Sequence, residues 1–195
     1  MTIVAVKLSA RRAAAVLSLA ALLALLAAMT VAGPDRAGAN GCPGATAALG
    51  ALSGDDLRSA VACLINQERR RSGLHQLKSS GRLFSAAKGH NADIQRKIHW
   101  LSHDSSNGDP MSTRLRKHGY MKGARSWAVG EVIGEAWGPA MTPRDILQGW
   151  LDSPPHNRVL HTARYREFGV AGKHGSADDP SADGALFTVD FGQRN

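Results

Sequence analysis

Cysteine and aromatic residues are scarce in this sequence. Of its 195 residues two are cysteine, and Phe, Trp and Tyr together make up 5%. Two cysteines exclude a disulfide-dense scaffold, and so few aromatic rings argue against the stacking platforms on which single-stranded nucleic acids bind. The chain nevertheless has 43% hydrophobic residues. This is enough apolar material for one core, so a collagen-like or disordered protein is excluded as well.

Two catalytic signatures are also missing. The sequence contains no G-x-S-x-G motif, in which a serine hydrolase presents its nucleophile, and no H-E-x-x-H motif, which holds zinc on one helix. Ser102 and His103 are adjacent, but neighbouring side chains of an extended backbone point in different directions. A serine hydrolase is therefore not indicated.

The first 39 residues differ from the rest. Three basic residues precede an apolar run over 13–32, and the small residues Ala37, Gly38 and Ala39 follow it. This order is typical of a secretory signal peptide, and we predict cleavage before Asn40. The alternative is an uncleaved membrane anchor in the cell envelope, since about 20 apolar residues are enough to span a bilayer. Cleavage predicts that the remaining domain, residues 40–195, is secreted and extracellular, and in both cases we expect it to lie outside the cytoplasm.

The chain is basic, with a formal net charge of +8. Removal of residues 1–39 takes away four basic residues and one acidic residue, which leaves +5. Such a surface favours anionic envelope polymers or lipid head groups, and export removes most of the opportunity to meet nucleic acid. We therefore expect no nucleic-acid partner, and contact with the membrane only during export.

Cys42 and Cys63 both lie in the exported part. In an oxidising compartment an even pair most simply forms one disulfide, although a reactive thiol is the alternative. The bond would close a loop of about 20 residues and stabilise the fold by ~3 kcal/mol.

Start, stop and periodicity signals predict about four helices and three strands. The helices begin after Ser53, at about residue 80, at Asp109–Pro110 and after Thr142, and the last of them ends at Pro154. The strands cover 127–133, 168–171 and 185–191, and loops cover 99–109 and 173–184. Because strands and helices do not alternate regularly, we predict an α+β layered domain.

Six segments in this order resemble the CAP superfamily, which comprises cysteine-rich secretory proteins, antigen five and pathogenesis-related proteins. They are Cys63–Arg69 (CLINQER), Ser102–Gly108 (SHDSSNG), Arg114–Leu115 with Gly119–Tyr120, Gly130–Ile133 (GEVI), Trp150–His156 (WLDSPPH), and Phe168–Val170 with Asp190–Gly192. The resemblance covers about residues 57–192. It implies a three-layer α-β-α sandwich around a small antiparallel sheet.

The resemblance also implies a cleft formed by His103, Glu131 and His156. Two imidazoles and a carboxylate can ligate a divalent metal such as zinc, form an acid-base pair, or make a hydrogen-bonded structural cluster. With ordinary histidine pKa values, metal affinity would fall below about pH 6. Two departures from the family pattern weaken the case for an enzyme: Val132 replaces an Asn, and Ser153 stands where animal and plant members carry a second acid.

These features predict a monomeric extracellular binding module whose cleft takes a lipid or cell-envelope component. The alternative is a metal-assisted extracellular hydrolase that uses Glu131 as ligand or base. The remaining histidines, His90 among them, are predicted to be mostly solvated, and the four tryptophans to line the core and the cleft.

Overall fold

The computed structural model describes residues 6–9 and 41–195. The predicted signal peptide, residues 1–39, lies outside the described residues except for a short strand at Val6–Ser9. Within the described part, no helix is long and apolar enough to cross a membrane. The prediction of an α+β fold with helices on both sides of a sheet is confirmed.

Five helices and five strands follow one another along the described chain. The helices are α1 (Gly54–Arg71), α2 (Gly81–Asp93), α3 (Met111–Lys117), α4 (Pro143–Asp152) and α5 (Pro154–Leu160), and the strands are β1 (Val6–Ser9), β2 (Lys78–Ser79), β3 (Trp127–Trp137), β4 (Glu167–His174) and β5 (Gly184–Arg194). A π-helical segment, Ile94–Ile98, continues α2 to the end that the sequence predicts.

The strands form one sheet in the order β1-β3-β5-β4-β2. The three long strands are antiparallel, as predicted, with β5 between β3 and β4. The two short edge strands run parallel to their neighbours and were not predicted. A strand of two residues such as β2 is too short to show the alternation on which strand prediction rests.

Two helices begin with the capping boxes that the sequence indicates. The Ser53 hydroxyl accepts a hydrogen bond from the Asp56 backbone at the start of α1, and Thr142 and Asp145 repeat this pairing in α4. The predicted end of α4 at Pro154 is correct. The chain does not continue as a loop, however, because proline suits the first turn of a helix and Pro154 begins α5.

The sheet is covered by different helices on its two faces. In β5 the predicted apolar face, Ala185, Phe187, Val189 and Phe191, packs in the large core with residues of α1, α4 and α5. The opposite face of the sheet contacts α2. There the Asn91 amide donates to the carbonyls of Ala171 and Leu186, which anchors α2 on the sheet.

The predicted disulfide between Cys42 and Cys63 is confirmed, and it ties the segment before α1 to the middle of that helix. The carboxyl-terminal end of α1 is held by Arg69, which is buried and donates to the carbonyls of Leu160 and Thr162. The triple-arginine run therefore includes a structural residue that joins the ends of α1 and α5.

Candidate functional site

Glu131 lies in the middle of β3 and is fully buried. Its partner across the sheet is Asp190 of β5, which is also fully buried. Directly opposed residues of antiparallel strands share one face of the sheet. Two acidic side chains therefore stand next to each other on the face that α2 covers.

Arg114 of α3 and His103 of the loop between α2 and α3 hold Glu131 from two sides. The Arg114 guanidinium donates to Oε2 of Glu131, and also to the His103 carbonyl and the Ser105 hydroxyl at 3.2 Å. Nδ1 of His103 lies 2.7 Å from Oε1 of Glu131. One buried carboxylate thus ties a strand, a helix and a loop together.

The two carboxyl groups have opposite protonation preferences. Burial disfavours ionisation of Glu131, but the charge of Arg114 and the hydrogen bond from His103 outweigh it and hold its pKa well below the ordinary value. For Asp190, burial and the negative charge of Glu131 raise the pKa well above the ordinary value. Of the two carboxyl groups, Glu131 therefore favours the ionised form and Asp190 the protonated form.

His156 is fully buried at the start of α5. Its Nδ1 lies 2.8 Å from the Ser153 hydroxyl, so the residue that replaces an acid in this sequence contacts the histidine. Burial, and then the proximity of His103, lower the pKa of His156 to about 4. His156 is consequently neutral at pH 7.

The Nε2 atoms of His103 and His156 are both buried, and neither has a hydrogen-bond partner among the described residues. The structure thus joins His103 to Glu131 directly, and brings His156 close enough for the two imidazoles to interact electrostatically. Within residues 6–9 and 41–195, no three His, Cys, Asp or Glu side chains form a group that could hold a metal.

Three residues of the site were missed or misjudged from the sequence. His90 was predicted to be solvated, but it is buried in α2 with Nε2 2.7 Å from the Ser102 carbonyl, and burial lowers its pKa. A signal for Asp190 was available: it is an acidic residue inside a strand, and in a layered fold with helices on both faces of the sheet such a residue becomes buried. Arg114 gives no such signal, because basic residues also follow it in α3.

The loop that carries His103 is fastened at two points that follow this residue. The Asp93 carboxylate accepts from the backbone and the hydroxyl of Ser106 at 2.8 and 2.7 Å. Further along, Asp109 pairs with Lys117 of α3. The position of His103 is therefore fixed by the loop as well as by Glu131.

The family model for the cysteine-rich secretory proteins, called CAP, matches residues 63–191, which is more than half of the chain. The chain belongs to the CAP family. The match includes every residue of the site described above. No curated protein matches this CAP chain.

Solved structures of bacterial proteins share the fold of this CAP domain. An extracellular protein containing an SCP domain from Bacillus anthracis has a TM-score of 0.53 and 25% identity, covering 72% of this chain and 43% of its own. An outer surface protein from Borrelia burgdorferi has a TM-score of 0.60 and 17% identity, covering 74% and 97%. A cysteine-rich secretory protein from Staphylococcus aureus has a TM-score of 0.50 and 16% identity, covering 72% and 39%. This chain spans less than half of the Bacillus and Staphylococcus proteins.

Proposed function

We propose that this CAP domain is an exported binding module whose cleft takes a divalent metal ion on His103 and His156. The observation that carries the proposal is the pair of buried Nε2 atoms without partners. A buried polar atom without a partner is unfavourable, and we infer that two such nitrogens, on imidazoles that interact electrostatically, share an ion.

The hydrogen bonds at Nδ1 favour this arrangement. Ionised Glu131 can only accept, so Nδ1 of His103 carries the proton, and in the neutral ring Nε2 is the nitrogen that has the lone pair. The Ser153 hydroxyl can accept from Nδ1 of His156 in the same way. Carboxylates that orient a ligating histidine through its other nitrogen are common around metals. Glu131 therefore orients His103 and does not itself need to bind the ion.

Two histidine nitrogens would occupy two coordination positions of a metal ion and leave the other positions open to water or a ligand. Imidazole nitrogens suit zinc, and a zinc ion bound here would supply a Lewis-acidic centre for an oxygen atom of a ligand. The protein's own contribution is to hold two histidines in fixed orientation.

The contacts of Glu131 favour binding over the alternative function, a metal-assisted hydrolase. A general base must reach the proton that it removes, and both oxygens of Glu131 already accept from Arg114 and His103. Ser153 contacts His156, but the other nitrogen of that histidine has no acid to orient it among the described residues.

Export is supported by the leader-like segment before residue 40 and by the disulfide. The Bacillus and Borrelia proteins of the same fold are described as extracellular and outer surface proteins. Among ligands we favour an envelope component over a lipid. The crevice between α1 and α2, which Phe84 and Phe168 line, holds about 150 Å³ and is smaller than an ordinary ligand pocket of ~300 Å³ or more.

Calorimetric zinc titration tests the proposal. We expect the wild type and His174→Ala, a variant of an exposed histidine, to bind one ion equally well, and His103→Ala or His156→Ala to lose at least about tenfold in affinity. His103→Ala serves if the buried His156→Ala variant does not fold, because the His103 side chain is 21% exposed. Equal zinc binding by the wild type and a folded histidine variant would refute the metal site.

Thermal melts with zinc and with chelator separate metal binding from a purely structural cluster. If the histidines bind metal, zinc should raise the melting temperature of the wild type and not that of His103→Ala. A purely structural cluster predicts that zinc raises neither, and that the lost hydrogen bond to Glu131 alone destabilises His103→Ala. Export and cleavage are tested by the mass of the protein recovered outside the host cell, which should correspond to a chain that begins at Asn40. Membrane-bound protein that still has its original amino terminus would contradict cleavage.

A further inference from the structure

A strongly basic cavity lies at the end of the sheet, formed by residues other than those of the His103–His156 cleft. It has a volume of about 920 Å³ and is lined by the start of β4, the end of β5, the segment before β2 and the turn before β3. Five of its lining side chains are cationic: Lys78, Lys122, Arg164, Arg166 and Arg194.

The one acidic side chain that lines this basic cavity in the described part of the chain, Glu167, is already engaged. Glu167 accepts a hydrogen bond from the Tyr120 hydroxyl at 2.8 Å and lies 3.7 Å from the Arg194 guanidinium. Among the described residues, the side chains of Lys78, Lys122 and Arg164 form no hydrogen bond or ion pair, and all three are exposed. The cavity therefore has an excess of positive charge that the fold does not use for its own stability.

The positive charge continues beyond the basic cavity. An adjoining open depression shares Glu167 and Arg194 with it and adds Arg82. Trp127, which is 42% exposed, is the cross-strand neighbour of Arg194. This places a flat apolar ring next to the line of cations.

We propose that the basic cavity binds an extended, phosphate-bearing polyanion of the cell envelope. A single phosphate carries about two charges, fewer than the three cations of the cavity that have no partner among the described residues, and the adjoining depression provides a path for a chain with several anionic groups. A flat membrane surface fits less well, because a bilayer cannot bring its head groups to the floor of a concave site.

Binding of this kind depends steeply on salt. A polyanion holds condensed counterions, and each cation that pairs with it releases them. With three to five contacts, affinity should fall roughly 20- to 100-fold between about 50 and 200 mM salt.

Linear inorganic polyphosphate of defined length is the probe, measured by fluorescence anisotropy or calorimetry in the presence of a chelator. The chelator makes the result independent of metal at His103 and His156. We expect the variant Lys78→Gln/Lys122→Gln/Arg164→Gln to lose at least tenfold in affinity. The matched control Arg71→Gln/Lys88→Gln/Arg116→Gln removes the same charge from exposed positions elsewhere and should retain wild-type binding.

Equal losses in the two triple variants would overturn the proposal, because net charge alone would then explain the binding. Orthophosphate that competes as well as the polymer, at equal phosphate concentration, would overturn the extended ligand. Stronger, cavity-dependent binding to phosphatidylglycerol vesicles would assign the cavity to a membrane surface. Binding to an oligonucleotide with higher affinity than to polyphosphate would contradict an envelope polymer.

Discussion

Arg114→Met tests whether the buried ion pair holds the site together. The Arg114 side chain is 7% exposed and contacts Glu131, His103 and Ser105. Without it, Glu131 remains in the interior with no positive partner except a histidine. Removal of one member of a buried ion pair destabilises a protein by ~3–5 kcal/mol, which for a domain of this size lowers the melting temperature by roughly 6–20 °C.

The sign of the pH dependence follows from Glu131. Its pKa is depressed in the folded wild type, so its ionisation stabilises the fold above the ordinary glutamate pKa of about 4.3, and this stabilisation is lost as the pH falls through the folded value. In Arg114→Met the guanidinium no longer lowers the pKa of Glu131. The difference in free energy of unfolding between the wild type and this variant should therefore be largest at neutral pH and shrink towards about pH 3.

Thermal and urea denaturation followed by circular dichroism measure both effects. Arg116→Met, an exposed arginine on the same helix, is the control and should change stability by less than about 0.5 kcal/mol. The double variant Arg114→Met/Glu131→Gln should recover much of the loss, because no buried charge is left unpaired. A loss that is equal in Arg116→Met, or the same at pH 7 and pH 3, would refute the reasoning.

Three further changes test other parts of the fold. Asp190→Asn should become more stable relative to the wild type as the pH rises from about 3 to 7, because the raised pKa of Asp190 means that folding opposes its ionisation. Urea unfolding at several pH values measures this, and a difference in unfolding free energy that does not change with pH would contradict it. Cys63→Ala should lower the free energy of unfolding by ~2–4 kcal/mol, and a native protein with two reactive thiols would contradict the disulfide. Gly169→Ala should destabilise the domain by about 3 kcal/mol or more, because the added Cβ would lie 2.0 Å from the backbone of α2. The control Gly81→Ala, whose added Cβ would have nothing within 4 Å, should be nearly neutral in the same urea unfolding experiment.

Local signals were sufficient to predict most of the fold. Capping boxes at Ser53 and Thr142, apolar periodicity in α1 and alternation in β5 each act through neighbouring residues, so they can be read from a sequence window. The edge strands and α5 could not be predicted in this way. Edge pairing depends on which segments meet in space, and a double proline is compatible with both the end and the start of a helix.

In the site, even more depends on contacts between segments that are distant in the sequence. Glu131 and Asp190 are 59 residues apart, and only strand pairing makes them neighbours. Family resemblance grouped His103, Glu131 and His156, but it did not indicate that Arg114 neutralises Glu131. Exposure was also misjudged for Trp100 and Trp127, predicted as core or cleft residues, which are 65% and 42% exposed. Aromatic character alone does not tell whether a ring fills a core or stands on the surface.

His156 has a pH response that differs from the prediction based on ordinary histidines. An acid in place of Ser153 would stabilise the imidazolium of His156 and raise its pKa, whereas a serine hydroxyl stabilises the neutral ring equally well. Burial then lowers the pKa of His156 to about 4. Protons therefore compete for His156 only well below about pH 6. Under the proposed metal-binding function, the contribution of His156 to zinc affinity should consequently persist at mildly acidic pH, and a zinc titration at about pH 5.5 on the His103→Ala variant and the wild type measures it.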